Sequence, residues 1–269
     1  MDINNLKKKA VFLRERILDM GYKGGSGHIA PSLSCVEILV SIYYSGQVSL
    51  WKKKDPDKFV LSKGHGALGL YAIFADKGIL KEKDINDYCK CGNCLVGLAE
   101  HSIPGIEVST GSLGHGLSIA AGMAFAARAD RRRFRTFVMV GDGECQEGSI
   151  WEAVLFASHN KLNNLIVIVD RNFQQAIGFT EDILGLEPLD RKFASFGWDV
   201  KTVDGHSLKA LVNVLKQARA RKSDKPLCII ANTIKGKGIS YMEKVPIWHY
   251  RCPNEQEYEI AKKDIKKCD

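Results

Sequence analysis

Apolar positions recur at helical spacing from Ile3 to about Met20, and the pattern predicts an opening amphipathic helix with charged residues on its other face. It breaks at Tyr22-Lys-Gly-Gly-Ser-Gly-His28, where glycines and serine ahead of a histidine make a loop that can approach a ligand. A second helix is expected from Ser34 to Tyr44, with Ser34 as its N-cap. Lys58-Phe-Val-Leu-Ser62 reads as a short buried strand, followed by Lys63-Gly-His-Gly66 and a helix through Ala75. Residues 82–105 are polar and cysteine-rich, a mixture of helix and loop. Val108-Ser-Thr-Gly-Ser-Leu-Gly-His-Gly116 then opens a helix of small residues from Leu117 to Arg128, whose alanines and glycines permit tight packing.

The centre of the chain carries the clearest pattern. Phe137-Val-Met-Val-Gly-Asp-Gly, a helix-like stretch, and Leu165-Ile-Val-Ile-Val-Asp-Arg-Asn172 form one βαβ crossover, the repeat of a parallel sheet. Trp198 to Val203 and Leu227 to Thr233 read as two further strands, with a helix from Ser207 to Ala220 between them. The chain from Lys235-Gly-Lys-Gly238 onward reads as a loop and a charged helix over about 250–269. Strands alternating with helices, without internal repeat or disordered linker, predict an α/β fold: one doubly wound parallel sheet in a single domain spanning 1–269.

Composition narrows the function classes only slightly. Hydrophobic residues make up 45% and charged residues 26%, ordinary for a globular protein. No apolar run is long enough to span a membrane, and the first twenty residues lack the continuous core of a signal peptide, so a cytoplasmic protein is the simplest reading. The net charge of +8 is spread over scattered lysines, with clusters at Trp51-Lys-Lys-Lys-Asp and in the tail, rather than along an aromatic-studded stripe. That pattern argues against nucleic acid and suits small anionic ligands. Cys89, Cys91 and Cys94 crowd together and could supply part of a Zn²⁺ or Fe–S site, with His101 the only near fourth ligand. No second cluster follows at a ligand spacing, which weighs against a metal there.

Ligands of open α/β sheets bind outside the carboxyl ends of the strands. Asp142 and Asn172 end two neighbouring strands there, and two hard oxygen donors suit Mg²⁺, which takes its remaining ligands from water and phosphate. Gly141 and Gly143 let backbone approach such a phosphate, and a helix opening near Gly148 points its free N–H groups the same way. His28 and His65 lie among glycines and are read as facing a ligand; His206, in Asp204-Gly-His206, is read as serving a turn. His115 is left open between a ligand contact and a hydrogen bond within its own loop.

These motifs, taken in order, resemble the diphosphate-binding half of the transketolases, thiamine diphosphate (ThDP) enzymes. The likeness covers nearly the whole chain: Ser26-Gly-His28, Phe59-Val-Leu-Ser-Lys-Gly-His-Gly66, Gly105 to Gly116, Gly141-Asp-Gly-Glu-Cys-Gln-Glu-Gly148, Asp170-Arg-Asn172, Lys235-Gly-Lys-Gly238 and Trp248-His249. The resemblance implies that Asp142, Asn172 and the backbone carbonyl of Gln174 bind Mg²⁺. It implies that Gly143 donates its N–H to the diphosphate and that Gly111 and Leu113 contact the aminopyrimidine. His65 and His249 would line the phosphate end and the reacting centre, and His28 would touch the substrate. Glu147 and Glu152 resemble carboxylates at the family's dimer interface near the cofactor, where clustered like charges would raise a pKa; Glu152 reads equally well as a solvated helix residue. Ala176, Ile177 and Tyr250 depart from the family pattern on the substrate side, and His101 aligns only loosely with a substrate-contacting histidine.

What the resemblance implies about function is a split transketolase. This chain would be the N-terminal subunit, inactive alone, and would pair with a separate C-terminal subunit carrying the pyrimidine domain, as a heterotetramer. The pair would move a two-carbon ketol unit between sugars. The Cys cluster keeps a rival open, the ThDP subunit of a 2-oxoacid oxidoreductase or dehydrogenase. A non-catalytic ThDP-binding protein is the second rival.

Overall fold

A computed structural model describes residues 2–51 and 54–267. The lysines at 52–53 and the last two residues of the expected tail helix lie outside the described residues. Five strands form one wholly parallel sheet: β1 (Lys58–Leu61), β2 (Thr136–Gly141), β3 (Leu165–Arg171), β4 (Asp199–Asp204) and β5 (Leu227–Asn232), in the order β1-β2-β3-β5-β4. The helices are α1 (Ile3–Gly24), α2 (Ile29–Ser34), α3 (Val36–Tyr44), α4 (Ala67–Asp76), α5 (Glu82–Asn86) and α6 (His115–Ala129). They continue with α7 (Gly148–His159), α8 (Thr180–Ile183), α9 (Leu189–Ser195), α10 (Leu208–Ala220) and α11 (Glu255–Lys266).

Strands buried on both faces should read as near-continuous apolar runs, and β2, β3 and β5 do. Alternate residues serve different cores. Val138, Val140, Val167, Val169, Cys228 and Ile230 join the cluster under α6, α7 and α9. Phe137, Met139, Ile166, Ile168 and Ile229 join the larger cluster under α1, α3, α4 and α10. The alanines of α6 are what let it lie close over β2, as Ala120, Ala121 and Ala124 are all buried.

Two expectations need correcting. The opening helix runs on to Gly24, through residues expected to begin the loop, because Gly25 supplies the left-handed conformation (φ 56°) that ends it. The helix expected over Ser34–Tyr44 is two helices that break at Cys35, and Ser34 ends the first rather than capping the second. Its hydroxyl has a better acceptor, Asp170 Oδ2 at 2.5 Å, on a strand 136 positions away.

Candidate active site

The register of the sheet sets Gly141 beside Asp170 and Arg171 beside Asn232, so the ends of β2, β3 and β5 stand together. A cleft of ≈ 210 Å³ opens above them. It is lined by His65, Leu113, Gly141, Asp142, Gly143, Glu147, Asn172, Gln174 and His249, nine of the residues singled out from sequence, together with Lys63, Glu144 and Lys235. His28, Gly111 and His101 are not part of that lining; His28 stands behind His65 and His249, Gly111 packs its backbone against Leu98, and His101 is exposed, its N–H bonded to Ser109 Oγ.

The floor is an ion pair that sequence reasoning missed. Lys63 and Asp170 are both 0% exposed and bonded to each other. Asp170 also accepts from the hydroxyls of Ser34 and Thr233, and Lys63 donates to the Pro31 carbonyl at 3.0 Å. Burial opposes the ionisation of Asp170, but Lys63 and the two hydroxyls outweigh it and hold the carboxyl below its usual range. One carboxylate thus ties together α2, the loop after β1 and the ends of β3 and β5. Its commitment to those donors makes it a strut, not a free ligand.

Asp142 is in the opposite situation. Its Oδ1 accepts from Gly143 N at 2.9 Å and its Oδ2 from Phe173 N at 2.6 Å, and it forms no ion pair among the described residues. Burial, and then the charge of Asp170, push it up to about 6. Asn172 Oδ1 accepts from Gln174 N at 3.1 Å, and the Gln174 side chain is buried with neither Nε2 nor Oε1 partnered among the described residues. A carboxylate, an amide oxygen and a peptide carbonyl, beside orphaned buried amide atoms, match the hard oxygen set of a Mg²⁺ site that leaves room for water and phosphate. An added Cβ at Gly143 would lie 2.9 Å from the Gln175 side chain, so glycine keeps this edge of the cleft open.

Glu144, and not Glu147, is the carboxylate the fold buries. Its Oε1 accepts from Ser62 Oγ and from Gly114 N at 2.9 Å, and its Oε2 from Gly141 N at 3.0 Å. Burial raises its pKa against those hydrogen bonds. Glu147 lines the cleft from an exposed position, and Glu152 is exposed on α7.

Three imidazoles close the upper end. His28, from the turn before α2, His65 and His249 form a triangle with centroid separations of 5.4, 5.1 and 5.5 Å. Burial, then Lys235, lower His28 to about 4 and His249 to about 3; burial and Lys63 hold His65 well below the ordinary value. All three are therefore neutral near pH 7. Lys235 Nζ lies 2.6 Å from His249 Nδ1 and donates to the Gln175 carbonyl at 2.9 Å. Burial and Lys63 bring Lys235 down to about 7. Tyr250 packs edge-on against His28 at 4.6 Å with its hydroxyl 2.9 Å from Ser26 Oγ, so it walls the side where sequence reasoning placed the substrate.

Two motifs lie elsewhere. His206 bridges three elements: its Nδ1 meets Glu37 Oε2 at 2.9 Å, its Nε2 accepts from Ile234 N at 2.8 Å, and its own N–H turns onto Asp204. It serves more than a turn. Cys89, Cys91 and Cys94 are free thiols, and no group of three or more His, Cys, Asp or Glu placed for a metal occurs among the described residues. No helix among the described residues is long and apolar enough to cross a membrane.

Known proteins resemble this chain in sequence and in fold. The family described as "Transketolase, thiamine diphosphate binding domain" matches residues 7–264. The chain is 37% identical to an apulose-4-phosphate transketolase subunit of Phocaeicola vulgatus, over 98% of this chain and 95% of that protein. It is also 37% identical to the 6-deoxy-6-sulfo-D-fructose transketolase subunit SqwG of a Clostridium species, over 98% of this chain and 97% of that one. The transketolase structure of Campylobacter jejuni superimposes with a TM-score of 0.92 at 30% identity, covering 99% of this chain but only 43% of that longer polypeptide. On these grounds the chain belongs to the transketolase family, whose thiamine diphosphate binding domain it carries.

Proposed function

We propose that this chain is the N-terminal subunit of a split transketolase that works with a separate pyrimidine-domain subunit, as a cytoplasmic heterotetramer. The observation that carries the reading is mutual coverage: relatives named as transketolase subunits align over nearly their whole length and nearly all of this chain. Asp142, Asn172 and the Gln174 carbonyl hold Mg²⁺. Gly141 and the Gly143 N–H meet the diphosphate, and Gly111, Leu113 and Glu147 flank the rest of the cofactor. When bound, ThDP supplies the carbanion chemistry of carbon–carbon cleavage.

The chain's own contribution is binding, orientation and proton handling. His28, His65 and His249 are neutral in the free chain, so His28 and His65 each offer one ring N–H and one ring acceptor to sugar hydroxyls and to a proton in transit, while His249, its Nδ1 held by Lys235, offers its Nε2–H. A Lys235 proton donated to His249 Nδ1 leaves that ring's own proton on Nε2. The two named relatives act, by their names, on a sugar phosphate and a sulfosugar. An anionic ketose donor and an aldose acceptor are the corresponding substrate class here.

ThDP titration with Mg²⁺ by calorimetry, on this chain alone and mixed with a pyrimidine-domain subunit, tests the reading. Ketol transfer confined to the mixture is the expected result. A partner that changes neither binding nor activity would leave a ThDP-binding protein without transferase function.

A further inference from the structure

At the other end of the sheet, below the starts of β2 and β3, lies a recess of ≈ 200 Å³ that the cleft chemistry does not use. Five arginines line it and no carboxylate does: Arg128 at the end of α6, Arg132, Arg133 and Arg135 ahead of β2, and Arg221 just after α10. Two of the five are balanced by acids, Arg132 by Asp55 and Arg221 by Asp199. Arg128 turns one nitrogen to the carbonyls of Asn160 and Lys161 at 2.5 and 2.6 Å, and Arg135 turns one to the Arg219 carbonyl at 2.8 Å; carbonyls fix the guanidinium groups without neutralising them. Arg133 is exposed, with no carboxylate paired to it among the described residues.

Burial and the neighbouring Arg135 outweigh Asp199 and lower the proton affinity of Arg221. Arg221 Nη2 donates to Asp199 and to the Lys225 carbonyl, while its Nη1 is buried with no hydrogen-bond partner among the described residues. A buried charged donor without an acceptor is a rare and costly feature. A tetrahedral oxyanion answers the charge imbalance of the recess, because its several oxygens accept from guanidinium forks and its charge offsets the three arginines without a carboxylate partner.

We propose that this recess binds a phosphate group, as inorganic phosphate or as the phosphoryl end of a small phosphate monoester. Its ≈ 200 Å³ is room for such a group with a few carbon atoms attached. It is separate from the diphosphate cleft: the six residues of β2 lie between them, a span of roughly 20 Å. The proposal does not depend on the ketol-transfer reading.

The test is calorimetric titration of the full chain with inorganic phosphate and, separately, glycerol 3-phosphate, at ionic strength held constant with chloride. Saturable binding is expected, and Arg133→Ser should weaken it about tenfold or more, since it removes one charge-assisted partner. Lys209→Ser, at the far end of α10 and roughly 20 Å away, should leave the Kd unchanged. Arg133 is exposed, so the first variant is expected to keep the parent Tm, and that is checked alongside. Tighter binding of the monoester would identify a metabolite site, and equal binding a phosphate site. Absence of saturation overturns the proposal, and so does equal weakening by both variants, which would mean a diffuse basic surface. Binding indifferent to Arg133→Ser also overturns it, because the phosphate would then be sitting in the diphosphate cleft.

Discussion

Lys63→Met removes one member of the buried pair under the cleft and leaves the other charged. Neither side chain is exposed, so Asp170 would keep the hydroxyls of Ser34 and Thr233 and a long bond from Asn172 Nδ2 at 3.4 Å, with no cation, against its desolvation. Breaking a buried pair from one side costs about 3–5 kcal/mol. At about 2 °C per kcal/mol for a chain of this size, the Tm should fall by roughly 6–10 °C. The double variant Lys63→Met/Asp170→Asn should regain about 2 kcal/mol of that loss, as expected for two contacting groups. The pH dependence gives a sharper check. In the parent chain Asp170 is held below its ordinary range, so its contribution is full above the unfolded-state pKa and is lost as pH falls through the folded value. Without Lys63 the same carboxyl is raised by burial, and its ionisation opposes folding at neutral pH. The variant should therefore recover stability on acidification, and its deficit should narrow between about pH 8 and pH 5. Urea unfolding followed by circular dichroism across that range reads both effects. A loss under about 1 kcal/mol, or a deficit that does not narrow in acid, would refute the strut argument.

Asp142→Ala removes the charged member of the oxygen set, and Mg²⁺-dependent ThDP binding should vanish in calorimetry while the chain stays folded by circular dichroism. Lys235 stands at about 7, so it is mostly neutral at pH 8; a diphosphate beside it raises its proton affinity, and ThDP binding there should take up protons. Calorimetry in buffers of different ionisation enthalpy measures that uptake, which Lys235→Met should abolish. Gly64→Ala would set a Cβ 2.7 Å from the backbone carbonyl of Thr110, a contact that cannot yield by side-chain rotation. It should lower the urea midpoint by an amount equivalent to about 1–3 kcal/mol without changing the m-value.

The strands and the mouth of the cleft were legible because one local rule produces both. A β-branched run that stops at Gly-Asp-Gly marks the carboxyl end of a buried parallel strand and places a polar ligand there. The supporting polar groups follow no local rule. Lys63 looked like part of a glycine loop, since lysine is seldom fully buried. It is buried because Asp170 reaches it from 107 positions away, and Asp170 tolerates burial because Ser34 and Thr233 come from two further segments. Ser34 obeyed the N-cap preference in sequence and abandoned it for that carboxylate. Glu144 and Glu147 have the same chemistry three positions apart. Only the short turn after Asp142 decides which one faces inward, onto the N–H groups of Gly114 and Gly141.

Asp142 and Lys235 make the cleft more than a shape match. Both are shifted against their charged forms, the acid upward and the base downward, and both line one cavity of ≈ 210 Å³. A divalent cation at Asp142 restores its ionisation, and an anion at Lys235 restores the ammonium. A cation bound alone places its charge in the same cavity as Lys63 and Lys235; an anion bound alone faces Asp142. Each ion thus removes the electrostatic objection to the other, and the low dielectric that produces the shifts also magnifies the gain when the two arrive together. Mg²⁺ and diphosphate should accordingly bind this chain as a unit, with the neutral histidines left uncharged above them to meet a sugar.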